Sequence, residues 1–229
     1  MVRKEVSVFD IENTWFISDL HLAHQGILTF ERQQFKTIQE HDTYVMTSLK
    51  RWAKNHEGAT LCILGDFGNL EKLRQVCADL RYTYAITLVG IKGNHDHAEK
   101  TEYLEQMFDT YYTMPQYIHP RVIISHEPVW PCPAGVCNIH GHLHAATLDS
   151  PQHINASICV ANYQPIGWKT IQKMFHIIEK PSYKFLREPW REAYIFTQPK
   201  DDVAYDKKRK IKLKESIKLY NKKYGANIE

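Results

Sequence analysis

Short apolar runs alternate with amphipathic stretches over the first half of the chain. Three runs are rich in apolar and β-branched residues, which predicts buried strands; they are 14–18, 59–66 and 84–96. Two stretches repeat apolar residues at helical spacing, 37–55 and 69–80. A further short helix is predicted at 99–109, and residues 22–35 are expected to form a loop.

The second half changes to a pattern of mostly strands. The predicted strands are 121–128, 136–144 and 153–166, and a helix is predicted at 168–180. Three prolines predict irregular structure over 181–205, and 206–224 reads as a basic helix. The pattern predicts an α/β or α+β layered domain over 1–180 and a basic C-terminal extension over 181–229, docked on that domain.

Charge adds a second feature to this picture. The 229-residue chain carries a net charge of +3, but residues 181–229 hold 13 Lys and Arg against 7 Asp and Glu. This asymmetry is typical of a polyanionic partner such as nucleic acid, although a solvated or docking helix explains it equally simply. No apolar run approaches the ~18–20 residues of a membrane span, and no signal-peptide core is seen, so a cytoplasmic protein without a membrane partner is expected.

Most of the apolar runs end in side chains that bind metals or transfer protons. These side chains are Asp19, His21, Asp66, Asn94, His95, Asp96, His126, His142 and His144. In open α/β sheets, ligands bind at the carboxyl ends of the strands, so the groups are expected to converge there. His142 and His144 are two residues apart in a predicted strand and are expected to point to the same side.

Carboxylate and imidazole together suit Mn, Fe or Zn. Seven or eight such ligands are too many for one ion but fit two ions, with a carboxylate such as that of Asp66 shared between them. Two ions roughly 3.5–4 Å apart form a clamp for displacement at phosphorus. A histidine that is not a ligand would then protonate the leaving oxygen.

These blocks, in this order, resemble the calcineurin-like metallophosphoesterases, small prokaryotic and phage members in particular. The resemblance implies a four-layer αββα sandwich of two mixed sheets with a dinuclear site at one edge. It implies one ion held by Asp19, His21, Asp66 and His144, and another held by Asp66, Asn94, His126 and His142. It further implies a metal-bridging hydroxide as nucleophile, with Mn²⁺ as the first choice of metal and Fe, Zn²⁺ or Ni²⁺ as alternatives.

The resemblance also implies roles for residues around the ions. His95 is expected to contact the phosphate and protonate the leaving group. Asp96, the next residue, is a candidate to orient His95, and Asn94 is a candidate substrate contact. His24 is a candidate substrate contact, with an ordinary loop histidine as the alternative. Asn69 and Leu70 stand where the protein Ser/Thr phosphatases of the superfamily carry an Asp-Arg pair, which argues against a protein-phosphatase role.

Two functional hypotheses follow. The first is a metal-dependent hydrolase of a phosphomonoester or phosphodiester, with a small phosphate ester such as a nucleotide as substrate. The second is a nucleic-acid-binding or end-processing protein that uses the basic C-terminal tail. The oligomeric state is left open by the sequence.

Overall fold

The structure is a computed structural model that describes residues 10–97 and 100–178. Five strands form the first sheet: β1 (Thr14–Ile17), β2 (Thr60–Leu64), β3 (Thr87–Ile91), β4 (Thr110–Tyr112) and β9 (Ile166–Gly167). Their order is β4-β3-β2-β1-β9, with β1 to β4 parallel and β9 antiparallel to β1. The parallel part follows from the helices that connect its strands.

The second sheet contains β5 (Gln116–His119), β6 (Val122–Ile124), β7 (Cys137–His140) and β8 (His153–Asn155). Its order is β5-β6-β7-β8; β5 is antiparallel to β6, and the other two pairs are parallel. The described helices are a short 3-10 turn at Ile11–Asn13 and α1 (Ile27–Phe30), α2 (Ile38–Lys54), α3 (Leu70–Tyr84), α4 (Thr101–Met107) and α5 (Trp168–Ile178).

The central strands β1, β2 and β3 of the first sheet place alternate side chains in two different cores. Ile17 packs in the core shared with α2, α3 and α4, which includes Leu49 and Leu73. Its neighbour Phe16 packs in the core between the two sheets, which also includes Ile139 of β7. The two facing sheets and their helices confirm the predicted α/β layered fold.

Backbone hydrogen bonds join the polar residues that follow neighbouring strands within each sheet. The amide of Asp19 donates to the carbonyl of Gly65 at 3.1 Å, and the amide of His21 donates to the carbonyl of Asp66 at 2.9 Å. The amide of Gly141 donates to the carbonyl of His126 at 2.9 Å. The loops after β1 and β2 therefore run side by side, as do those after β6 and β7.

The predicted strand over 153–166 is shorter than expected. The strand ends at Asn155, whose side-chain oxygen accepts the amide of Ser157 at 2.8 Å. Asn162 and Tyr163 then adopt left-handed backbone conformations, with φ of 49° and 59°, which an extended strand does not contain. Strands β4 and β5 were not predicted, because they are short and carry polar residues. The predicted 181–205 and 206–224 segments lie outside the described residues, so the division at 180 stays a prediction.

Candidate metal centre

The backbone at the strand exits adopts an uncommon conformation. Five of the candidate ligands have positive φ: Asp19 (58°), His21 (47°), Asp66 (55°), His142 (68°) and His144 (49°). Each left-handed residue of this kind costs on the order of 1 kcal/mol or more and persists where its surroundings hold it, commonly at functional sites. The prediction that His142 and His144 alternate on a strand is wrong, because β7 ends at His140 and both histidines lie in the turn beyond it.

Four side chains from three of these turns form a first group. Asp19, His21, Asp66 and His144 each offer a ligand atom, and these atoms all lie within 4.8 Å of one another. The Nε2 atoms of His21 and His144 are 3.1 Å apart, and Nε2 of His21 is 3.4 Å from Oδ2 of Asp66. Asp19, His21 and Asp66 are buried, whereas His144 is partly exposed. The group therefore faces solvent on one side.

A second group lies on the other side of Asp66. Oδ1 of Asn94 is 2.8 Å from Nε2 of His126 and 3.0 Å from Nδ1 of His142. Nε2 of His126 is 3.4 Å from Oδ2 of Asp66. The same carboxylate oxygen is thus equidistant from His21 in the first group and His126 in the second.

The electrostatics of the two groups differ in the metal-free protein. Burial lowers the pKa of His21 to about 2, despite the opposing charge of Asp66, so this imidazole is neutral. Burial also disfavours a charge on His126, but its hydrogen bond to Asp66 and the negative charges of Asp66 and Asp19 raise its pKa to about 9. Burial alone would raise the pKa of Asp66; the hydrogen bond and charge of His126 outweigh it and hold that pKa below its usual range. Asp66 is therefore ionised.

Hydrogen bonds to the far sides of the candidate ligand groups orient them. Nδ1 of His126 is 2.8 Å from the carbonyl of Leu64, which fixes the proton on Nδ1 and leaves Nε2 turned toward Asp66. Asp19 accepts the Ser18 hydroxyl at 2.6 Å and the amide of His142 at 3.0 Å. Such outer partners are typical of metal ligands, whose orientation they hold.

The donor set fits divalent cations. Two buried carboxylates, Asp19 and Asp66, share this space with imidazoles whose nitrogens converge at 3.1–3.4 Å. A cation between these atoms would accept lone pairs from the imidazole nitrogens and balance the carboxylate charge. Mixed nitrogen and oxygen ligation suits Mn, Fe or Zn ions. The cluster and the fold thus indicate divalent metal ions.

His95 and His24 lie at the rim of this centre. The backbone amide of His95 donates to Oδ1 of Asp66 at 3.0 Å, while its side chain is exposed and its ring centroid lies 5.7 Å from that of His21. His24 is also exposed; its Nδ1 is 3.1 Å from Nδ1 of His21, and its ring centroid is 6.0 Å from that of His95. Both rings can reach a molecule that approaches from solvent.

Asp96 is buried, and its carboxylate is occupied by the backbone. Oδ2 accepts the amides of Gly93 at 2.8 Å and Asp66 at 2.9 Å, and Oδ1 accepts the amide of Phe67 at 3.2 Å. Burial raises the pKa of Asp96 despite these donors. The contacts bind the exit of β3 to the exit of β2.

Glycine at position 93 makes this junction possible. A Cβ atom added to Gly93 would lie 2.3 Å from both the amide nitrogen and Oδ1 of Asp66. Gly141 is in a similar position, since its Cβ would lie 2.3 Å from the hydroxyl of Ser18. At both positions a neighbouring turn approaches the backbone too closely for any side chain.

Sequence reasoning missed the polar residues that support the first turn from behind. Arg32, His41 and Asp42 are all buried. Arg32 and Asp42 contact the backbone of residues 19–23, and His41 lies between them. The available signal was on α2, where His41 and Asp42 share the buried face with Val45, Ser48 and Leu49. Ionisable residues at positions that face the core are rarely buried without a specific partner.

The fold and the ligand-bearing strand ends define an α/β layered protein with a candidate metal site. The family model of the calcineurin-like phosphoesterases matches residues 13–214, so the chain belongs to that family. The recognition made from the motif blocks is thereby confirmed. Membership indicates a metal-dependent hydrolase that acts on phosphate esters.

One solved structure supports the same fold. A protein of unknown function from Aquifex aeolicus is 26% identical, with a TM-score of 0.54 over 70% of this chain and 98% of that one. The nuclease MPE of Pseudomonas putida is 19% identical, with a TM-score of 0.42 over 58% of this chain and 62% of that one. No curated protein matched the chain. Within the described part of the chain, no helix has both the length and the apolar character needed to cross a bilayer.

Proposed function

We propose that this protein is a dinuclear metal-dependent phosphoesterase whose substrate is a small phosphomonoester or phosphodiester, such as a nucleotide. The observation that carries the proposal is the position of Asp66. Its Oδ2 lies 3.4 Å from Nε2 of His21 on one side and 3.4 Å from Nε2 of His126 on the other. One carboxylate oxygen placed between two sets of donors supports two adjacent ions that share it.

The proposed ligands divide into two sets around Asp66. Asp19, His21 and His144 complete one set, and Asn94, His126 and His142 complete the other. Bound there, divalent ions would lower the pKa of a water molecule and neutralise charge on the phosphoryl oxygens. Mn²⁺ is the proposed metal, since nitrogen and oxygen donors without thiolate suit it, with Fe, Zn²⁺ and Ni²⁺ as alternatives.

His95 is proposed to protonate the leaving oxygen. Its amide is fixed to Oδ1 of Asp66, so the residue is held at the centre, whereas its ring is exposed at the rim. A substrate that enters from solvent would meet the ring of His95 at this rim. General acid catalysis of this kind contributes roughly 10²–10⁴-fold to a rate.

Asp96 and His24 are proposed to assist in different ways. Both oxygens of Asp96 accept backbone amides, which supports a positioning role for Asp96 through the turn that carries His95. The exposed ring of His24 adjoins His21 and His95, which supports a role in contacting the substrate.

Hydrolysis of bis-(p-nitrophenyl) phosphate and p-nitrophenyl phosphate by the full chain with added Mn²⁺ tests the proposal. We expect release of p-nitrophenol that depends on the metal and ceases with a chelator. His95→Asn should lose most of this activity. His97→Asn is its matched control and should keep the activity, because His97 is an exposed histidine two positions along the same loop. If both substrates stay intact with Mn²⁺, Zn²⁺, Fe²⁺ and Ni²⁺, the proposal is wrong.

A second candidate function rests on the charge of residues 181–229, which carry 13 basic and 7 acidic residues. In this alternative, the segment binds the phosphate backbone of a nucleic acid and presents an end to the metal centre. Binding of a short RNA or DNA should then weaken as salt rises, and removal of 206–229 should reduce both the affinity and the salt slope. A flat salt response would exclude this function.

A further inference from the structure

A charged side chain is fully buried behind the first turn of the candidate centre. Arg32 has 0% exposure, and among the described residues no carboxylate lies in direct contact with its guanidinium. A buried charge is costly unless hydrogen bonds and a compensating charge replace water. The contacts of the Arg32 guanidinium therefore show which part of the structure this buried charge supports.

Those contacts are with the turn that carries two of the proposed ligands. Nη1 of Arg32 donates to the carbonyl of Leu20 at 3.0 Å, and Nη2 donates to the carbonyl of Asp19. Further along the turn, both carboxylate oxygens of Asp42 accept the amide of Ala23 at 3.1 Å. The two charged side chains thus hold the turn at its beginning and at its end.

His41 connects the two charges. Nη1 of Arg32 is 2.7 Å from Nε2 of His41, and Nδ1 of His41 is 3.0 Å from Oδ1 of Asp42. Because a guanidinium can only donate, Nε2 of His41 must accept, and the proton of the neutral ring must sit on Nδ1 and point to Asp42. Lys72 of α3 reaches the other oxygen of Asp42 at 2.9 Å.

The turn needs such support because of its backbone. Asp19, His21 and Ala23 have φ of 58°, 47° and 56°, so every second residue is left-handed without being glycine. Such residues persist only where the surrounding structure over-determines them. A relaxed turn would move the carboxylate of Asp19 and the ring of His21 away from Asp66 and His144.

We propose that Arg32, His41 and Asp42 form a positioning network that holds residues 19–23 in the conformation in which Asp19 and His21 bind metal. The inference rests on the proposed function, because it assigns a purpose to the geometry of that centre. None of the three side chains is proposed to touch the substrate. Substitutions of these three residues should lower the metal affinity. Turnover should fall only because less metal is bound.

The test compares Mn²⁺ binding with stability in the full chain. Arg32→Met should raise the Kd for Mn²⁺ by about 10–100-fold, the range found when outer partners of metal ligands are removed. Arg81→Met is the matched control: Arg81 donates to the carbonyl of Met107 at 2.8 Å and pairs with Asp109, so it supports the end of α4. Arg81→Met should lower the melting temperature with no more than about a twofold change in Mn²⁺ Kd.

Conservative variants separate the network from mere packing. His41→Gln can accept from Arg32 and donate to Asp42, so its Mn²⁺ Kd should stay near that of the wild type, whereas His41→Leu should lose affinity as Arg32→Met does. Asp42→Asn keeps the shape of the side chain but removes its charge, and it should also lose Mn²⁺ affinity. This variant replaces Arg32→Met in the test if Arg32→Met does not fold. At saturating Mn²⁺, KM should be unchanged in the variants that bind it.

The outcomes distinguish this inference from the proposed function. Wild-type protein that binds Mn²⁺ tightly, together with Arg32→Met, His41→Leu and Asp42→Asn that bind it equally well, would overturn the positioning network alone. Wild-type protein that binds no divalent metal would overturn the proposed function and the network with it. Loss of affinity in these three variants, with Arg81→Met and His41→Gln unaffected, supports the network.

Discussion

Metal binding should expel a proton from His126, and the structure sets the size of the effect. In the metal-free protein burial disfavours a charge on His126, but its hydrogen bond to Asp66 and the negative charges of Asp66 and Asp19 together raise its pKa to about 9. A metal needs the neutral ring, so it must displace this proton. Two pH units below the pKa, the apparent affinity is reduced roughly 100-fold, or about 3 kcal/mol.

The Mn²⁺ affinity should therefore be measured from about pH 6.5 to pH 8.5. Over this range the Mn²⁺ affinity of the set that contains His126 should rise close to tenfold per pH unit. His142, the other histidine of this set, competes little, because burial lowers its pKa. The pH dependence should therefore report on one group.

Isothermal titration calorimetry in two buffers with different ionisation enthalpies measures the number of protons that Mn²⁺ binding releases. At pH 7.5 we expect release of close to one proton per chain on saturation with Mn²⁺. His126→Gln should bind more weakly and release close to none. A wild-type Kd that does not change with pH, or release of no proton, would refute the assignment of His126 as a protonated ligand in the metal-free state.

The same pKa has a consequence for stability. Because the folded-state pKa of His126 is raised, its contribution is complete below the unfolded value of about 6.5 and is lost as pH rises through about 9. The metal-free protein should therefore lose stability from this group over that window. The metal-loaded protein should not, so the difference between their melting temperatures should widen with pH.

Three further predictions concern the loop after β3. His95→Asn should lower kcat by about 10²–10⁴-fold with Mn²⁺ stoichiometry unchanged, and undiminished turnover would show that His95 is not the acid. Asp96→Ala should reduce the free energy of unfolding by about 2–4 kcal/mol, since three backbone amides lose their acceptor; denaturant unfolding at pH 7.5 measures this, and a change below 0.5 kcal/mol would contradict it. Gly93→Ala should weaken both Mn²⁺ affinity and thermal stability, because its Cβ would lie 2.3 Å from Asp66; calorimetry of a variant with wild-type values would contradict the close approach.

The sequence predicted the parts of the centre that follow from local pattern. Asp19, Asp66 and Asn94 each follow an apolar run, and parallel strands bring such exits to one edge. The course of the loops could not be predicted in this way. His142 and His144 belong to a turn in which their left-handed conformations are held by contacts between distant segments, such as the amide of His142 on Asp19.

The supporting network illustrates the same limit. Arg32 lies in a stretch without periodicity, and its partners are the carbonyls of residues 12 and 13 positions earlier. His41 and Asp42 did carry a signal, because they occupy the core-facing side of an amphipathic helix. That position predicts a buried polar contact but leaves its partner unspecified, since the partner depends on how α2 packs against the first turn.

The central claim is that two metal ions share Asp66. Crystals grown with Mn²⁺, measured at the manganese absorption edge, test it most directly. We predict two anomalous peaks on opposite sides of Oδ2 of Asp66, one ligated by Asp19, His21 and His144 and one by Asn94, His126 and His142. A single peak, or two peaks that do not share Asp66, would contradict the account.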